Sequence, residues 1–192
     1  MARRPVLACA LAAEERAARR GGARTARVGL GATGPLPQSP IISFGLAGAL
    51  SVGLEPGDLV TATRVVGGDA AVLWEGEPLL EGRARPVVVA AVGRVVDDPQ
   101  ERDAVARATG ADVVEMESGR LAASGRLVGV LRAVSDTATH PVGPVALAAH
   151  PGGGTRWTAL ALALAREPRG SIVAIRNGRR ALLALERAAR EL

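Results

Sequence analysis

Residues 112–136 read DVVEMESGRLAASGRLVGVLRAVSD, and this stretch constrains the chain more than any other. Two apolar runs, 112–116 and 128–134, have the length and Val/Leu content of buried strands. Residues 119–125 lie between them, which is enough for a short helix or a turn. Each run ends in acid: Glu115-Met116-Glu117-Ser118 closes the first and Ser135-Asp136 the second. Read as parallel strands, they put Glu117 and Asp136 on one rim, outside the carboxyl ends of the strands where α/β sheets bind ligands. A carboxylate at a strand tip costs desolvation energy, so it needs a partner or a task. The competing reading is helix capping, since acids in a first helical turn suit the dipole.

The flanking chain alternates strand and helix in the same manner. Residues 5–11 predict a buried strand, and 12–20 a helix with Glu14 in its first turn, a third acid at a strand end. The segment RVGLGATG carries G-x-G-x-x-G at Gly29, Gly31 and Gly34, but Pro35, Pro37 and Pro40 leave no room for the helix that a dinucleotide fingerprint requires. A tight loop beside a ligand or a neighbouring strand is expected there instead. Residues 41–46 predict a third strand running into GLAGAL, where small residues let backbone N–H groups approach a ligand, or let a helix pack closely. Residues 59–65 and 86–92 predict two more strands. The stretch between them, 67–86, reads as an irregular lid or binding loop holding Trp74. Helices are expected over 99–109, with Asp97 or Asp98 as N-cap and Gly110 as stop, over 157–166, and over 171–192. The whole pattern predicts one α/β domain over residues 1–192, with a mostly parallel central sheet and helices on both faces.

Composition removes several function classes. All 24 basic residues are arginine, so a Schiff-base, pyridoxal-phosphate or P-loop lysine is excluded. Aromatics are 2 %, which argues against a base-stacking surface for single strands, and no nucleic-acid partner is expected despite the formal charge of +5. One cysteine, Cys9, makes no internal disulfide and no cysteine-based zinc site; His140 and His150 are too far apart for a helical metal pair. No metal and no cofactor is expected. Arg3-Arg4 followed by PVLACALAA resembles a short signal peptide with a lipobox-like Cys9, but Glu14-Glu15-Arg16 follows at once, and a cytoplasmic chain is the expectation. Arg176, Arg179, Arg180, Arg187 and Arg190 line the final helix. They form a solvated face or, in the sharper reading, a peripheral contact with an anionic membrane.

VVEMES followed by LRAVSD resembles the signature of the purine nucleoside phosphorylase and nucleosidase superfamily, and IISFGLAGAL with LEPGDLV resembles its glycine-rich segment and the strand after it. The similarity runs from about residue 5 to 136. The tail LAREPRGSIVAIRNGRRALLALERA is similar to the hopanoid-associated phosphorylase-like branch, whose members are thought to release adenine from adenosylhopane. The resemblance implies an N-glycosidic cleavage of an adenosyl compound. Asp136 would protonate the purine N7 with Ser135 beside it, and Glu14 would activate water. Glu117 would hold the ribose hydroxyls and Met116 would pack on the sugar. Arg132 would lie near the base or Asp136, and Ala47 and Gly48 would offer backbone contacts. Arg27 with Gly29 and Gly31 would form the phosphate site if the enzyme were a phosphorylase, but Glu14 nearby would repel phosphate, so hydrolysis is favoured. The alternatives are a methylthioadenosine/S-adenosylhomocysteine or futalosine-type nucleosidase, a phosphorylase, or a nucleoside-binding module that has lost catalysis. Two departures from the family pattern are visible. Residues 32–40 are too short and proline-rich for the usual helix, and the purine-stacking aromatic is missing, so that Phe44, Trp74 or an aliphatic residue from 86–96 would replace it. Completion of the pocket by a second copy of the chain is also expected.

Overall fold

The computed structural model describes residues 4–140 and 142–192; Met1–Arg3, including half of the Arg3-Arg4 pair, lie outside them. In chain order the strands are β1 (Val6–Cys9), β2 (Thr25–Arg27), β3 (Ile41–Ala49), β4 (Leu59–Gly67), β5 (Val72–Glu75), β6 (Arg85–Ala91), β7 (Val113–Glu115) and β8 (Leu127–Asp136). The helices are α1 (Ala12–Arg20), α2 (Pro99–Thr109), α3 (Ser118–Ala123), α4 (Trp157–Arg166) and α5 (Pro168–Ala188). Among the described residues all the strands join one sheet, ordered β2-β1-β3-β7-β6-β4-β5, with β8 paired to both β3 and β4. Because β3 also reaches β4 through β7 and β6, the strands β3, β7, β6, β4 and β8 close on themselves.

The helices start and stop where local chemistry dictates. Asp98 caps α2 by accepting from the backbone N–H groups of Gln100 and Glu101 at 2.8 and 3.0 Å, and Gly110 ends it at φ 66°. Helix α1 begins with Glu14 and Glu15 in its first turn, and Glu14 reaches back to the Leu11 N–H at 2.8 Å. The capping reading and the strand-end reading of Glu14 are therefore both realised. Helix α5 begins three residues earlier than the sequence predicts, at Pro168, whose missing N–H and fixed φ suit a first helical turn.

Two expectations are corrected. First, β7 and β8 are not parallel neighbours: β7 runs antiparallel to β3, whereas β8 runs parallel to it, and the sheet as a whole is mixed. Gly48 of β3 has Val114 on one side and Asp136 on the other, so antiparallel β7 carries Glu115 and Glu117 back along the same stretch of β3. The acids meet despite the reversed strand. Second, residues 67–86 are not an irregular lid. They contain β5, a hairpin partner of β4, and Trp74 packs against the core with its indole N–H donating to the Leu127 carbonyl at 3.0 Å. The Val72–Glu75 run was obscured by the Gly and Pro around it.

The proline-rich stretch after Gly31 contains only a 3-10 turn, Leu30–Ala32. Edge strand β2 still pairs parallel with β1, so an extended connection without a helix spans the crossover to β3. Main core clusters on the two sides of β3 hold Ile41 and Val130 on one and Ile42, Phe44 and Leu131 on the other, with α1 and α5 covering the latter. Among the described residues no helix is long and apolar enough to cross a membrane.

Candidate active site

A cavity of about 460 Å³ opens at the ends of β3, β7 and β8, within the size range of about 300–1,000 Å³ usual for small-molecule sites. Glu14, Glu117 and Asp136 all line it, together with Met116, Ala47, Gly48 and Ser135. Most of its remaining wall is aliphatic. Val95 and Val96 come from the loop after β6, and Leu160, Ala174, Ile175 and Leu182 come from α4 and α5. A neighbouring opening of about 550 Å³ shares Leu30 and Met116 with it but is bordered by none of the three acids. The three acids are thus gathered in the first alone.

One buried cluster is built around Arg132, whose side chain is 1 % exposed. It pairs with Glu115, stands 3.5 Å from a Glu117 oxygen and donates to the Ser43 hydroxyl at 2.6 Å. Glu117 stands at the N-cap position of α3 but makes no capping bond with its own side chain; instead Glu115, two residues earlier, accepts from the N–H groups of Glu117 and Ser118 at 2.9 and 3.0 Å. Glu117 thereby turns its carboxyl to the cavity, held among the described residues by the Gly31 N–H at 3.0 Å and the shared arginine. One guanidinium faces three carboxylates, and the consequence is a proton. Burial, then the charge of Glu115, pushes Glu117 up to about 8, against the opposing pull of Arg132. Glu14 is also raised by burial, although Arg132 and the N–H groups of Leu11 and Leu46 (2.8 and 2.9 Å) oppose the shift. Burial acts to lower the Arg132 pKa, but Glu115, Glu117 and Glu14 outweigh it and hold the guanidinium above its ordinary range.

A second cluster surrounds Asp136. One carboxylate oxygen pairs with Arg102 and the other accepts from the Ser135 hydroxyl. Arg102 comes from α2 and is 3 % exposed. It also donates to the carbonyls of Val96 at 2.9 Å, Ala49 at 3.2 Å and Thr137 at 2.9 Å. One side chain thus ties the loop after β6, the end of β3 and the exit of β8 together around the acid. Burial raises the Asp136 pKa, while Arg102 and Ser135 hold the rise down.

The glycines of β3 have a clear use. A Cβ on Gly45 would stand 2.6 Å from Glu14 Oε1 and 2.7 Å from an Arg132 nitrogen. One on Gly48 would stand 3.0 Å from Asp136 Oδ2 and 3.1 Å from Arg102. The GLAGAL run clears space for both charged clusters as well as bordering the cavity.

The structure moves several expected residues. Phe44 is fully buried among Leu7, Cys9, Leu131 and Leu185 and does not reach the cavity. Along β3 it faces α5, away from the acids. The hydrophobic residues that do line the cavity at that level are Val95 and Val96, from the aliphatic stretch named as the substitute. Arg132 does not approach Asp136; Arg102 takes that role, and in the sequence nothing distinguishes Arg102 from an ordinary helix-surface arginine. Arg27 pairs with Glu15 at 3.4 Å, Gly29 lies under the Pro151 carbonyl, and the Gly31 N–H is already used by Glu117. Arg27, Gly29 and Gly31 therefore do not assemble an anion site. His140 and His150 are exposed, and among the described residues no group of three His, Cys, Asp or Glu side chains is placed to hold a metal.

No protein-family model and no curated protein sequence matches the chain. Solved structures do. The S-adenosylhomocysteine nucleosidase of Streptococcus pyogenes, in complex with 5-methylthiotubericidin, is similar over 100 % of this chain and 98 % of that one, at 17 % identity and a TM-score of 0.65. A mutant of the Helicobacter pylori MTAN with 5'-methylthioadenosine in its active site is similar over 100 % of both chains, at 16 % identity and a TM-score of 0.63. The futalosine hydrolase of Helicobacter pylori is similar over 97 % of both, at 15 % identity and 0.58. The chain shares with these nucleosidases an α/β fold built on a central mixed sheet flanked by helices.

Proposed function

We propose that the chain is a nucleosidase that hydrolyses the N-glycosidic bond of an adenosyl compound and releases adenine. The observation that carries this reading is the convergence of Glu14, Glu117 and Asp136 on one apolar cavity. The likeness in fold to nucleosidases that bind 5'-methylthioadenosine and related compounds supports it.

The chemistry follows from the charge that develops. As the bond from C1′ to the base breaks, its electron pair leaves with the purine and the ribose becomes oxocarbenium-like. Asp136, its pKa raised by burial, delivers a proton to the base as it departs, a contribution of about 10²–10⁴-fold. Glu117 accepts hydrogen bonds from the ribose hydroxyls, and the acidic cluster favours the positive sugar. Water adds to C1′ and gives its proton to Glu14, whose two oxygens are oriented by the Leu11 and Leu46 N–H groups. Val95 and Val96 pack on the purine in place of an aromatic ring, and Met116 packs on the sugar. Phosphorolysis is disfavoured, because Arg27 and the Gly31 N–H are committed to Glu15 and Glu117.

The 5′ substituent is apolar in this reading. Leu160, Ala174, Ile175 and Leu182 extend the cavity in aliphatic wall between α4 and α5. That wall suits a hydrocarbon better than the amino-acid tail of S-adenosylhomocysteine, and adenosylhopane is our specific candidate. The test is adenine release from a panel of adenosyl compounds, with adenosylhopane in detergent, with and without phosphate. Phosphate-independent release that is lost in Asp136→Asn and Glu14→Gln is expected. Bound adenine without release from any compound would reduce the chain to a binding module.

A further inference from the structure

Helix α4 and the first half of α5 carry an outward surface that a helix in a water-soluble domain ordinarily buries. On α5, Arg169, Ile172, Val173 and Arg176 follow the spacing i, i+3, i+4, i+7, and all of them are exposed. Ile172 is 59 % and Val173 45 % exposed; on α4, Trp157 is 74 % and Leu162 49 % exposed. The charge around them is predominantly positive. From residue 137 to residue 185 the only acid is Glu167, against Arg156, Arg166, Arg169, Arg176, Arg179 and Arg180. None of these six joins an ion pair among the described residues.

We propose that this face docks on an anionic lipid bilayer. A protein partner of this chain's own kind is a poor match, because two copies would bring arginine against arginine. A bilayer carrying anionic headgroups supplies the missing charge, and apolar side chains with an aromatic at the edge enter the headgroup boundary as an interfacial helix does. Among the described residues no helix is both long and apolar enough to span, and the contact we propose is peripheral. The same two helices border the cavity through Leu160, Ala174 and Ile175. Docking therefore brings the aliphatic end of the cavity near the membrane, a consequence that rests on the proposed function, whereas the docking itself does not.

Trp157 and Trp74 are the only tryptophans, and Trp74 is held against the core, so fluorescence reports the exposed one. The full chain is mixed with vesicles of phosphatidylcholine, with or without phosphatidylglycerol. We expect co-sedimentation and a blue shift of Trp157 emission only with phosphatidylglycerol, both reversed by about 0.5 M salt. Replacing Arg169 and Arg176 together by Gln removes two contacts of the kind that weaken partitioning by about 30-fold in all. Adenine release from a soluble nucleoside stays unchanged in that variant. Absence of binding, equal binding to both vesicle types, or a Trp157 already buried in a lipid-free oligomer would overturn the proposal. Lipid binding by a chain that releases no adenine would leave docking standing and remove the nucleosidase reading instead.

Discussion

Glu117→Gln should stabilise the fold, and the effect should grow with pH. In the folded chain Glu117 holds its proton up to about 8, whereas an unstructured glutamate releases it near 4.5. A group whose pKa is raised on folding contributes stability that is fully present below the lower value and is lost as pH rises through the higher one. Between the two the unfolded chain has already released the proton, so each pH unit costs about 1.4 kcal/mol. From these two values the wild-type chain gives up about 3 kcal/mol at pH 7 and about 5 kcal/mol at pH 9 on account of this one carboxyl. Gln cannot ionise, yet its carbonyl can still accept from the Gly31 N–H and its amide can face Glu115. Urea unfolding at pH 5, 7 and 9 should therefore show curves that nearly coincide at the lowest pH and separate by several kcal/mol at the highest. Glu14, also raised by burial, is untouched, so some decline with pH persists in the variant. A variant equal to or less stable than wild type at pH 9 would refute the reasoning. It would mean that Glu117 is ionised in the folded chain and that Arg132 balances it fully. Adenine release should fall in the same variant, since a site that holds surplus carboxyl groups trades stability for function.

Gly45→Ala places a methyl within 2.6–2.7 Å of Glu14 and Arg132, so we expect about 1–3 kcal/mol of destabilisation in urea and a loss of rate on the order of 10²-fold as Glu14 is pushed aside. Unchanged kinetics would show that Glu14 can move without consequence. Arg102→Gln removes the cation that opposes the rise in the Asp136 pKa, so the alkaline limb of the pH–rate profile should move upward while Arg102→Lys largely retains the wild-type profile. A lower rate with an unshifted profile would make Arg102 a structural tie only.

Much of the fold was legible because the strongest local signals agreed with the tertiary outcome. The spans of α1 and α2 follow from acid, Pro and Gly punctuation that also satisfies their end groups, and that of α4 from its apolar run before Pro168. Strand direction was not legible. Nothing within Val113–Glu115 states whether it pairs parallel or antiparallel with β3, because all three residues are buried and so short a run shows no alternation. β5 was hidden for the opposite reason. Its residues other than Trp74 are exposed on an edge, flanked by Gly and Pro, and only pairing with β4 makes Val72–Glu75 a strand.

In the site, the acids were legible and their partners were not. Glu14, Glu117 and Asp136 are visible as costly groups at the ends of apolar runs, and any fold that bunches those ends brings them together. What a carboxylate is paired with depends on which distant side chain arrives. Arg102 lies 34 residues before Asp136, on a helix whose pattern gives it no distinction, and only the packing of α2 under the exit of β8 buries it. Arg132 shows the converse error. It sits four residues before Asp136 on the same strand, which suggested proximity. Alternation puts residues 132, 134 and 136 on one face in an ideal strand, yet the bulge in the β3–β8 register between Ala47 and Gly48 turns Asp136 away toward α2. The irregularity that separates the two charged clusters thus lets one site hold an arginine-bound cluster with a protonated Glu117 and, beyond the bulge, an acid with its own cation. A variant that straightens β8 would bring the two arginines toward the same carboxylates, and the difference between sugar-side and base-side acids on which the proposed chemistry depends would be lost.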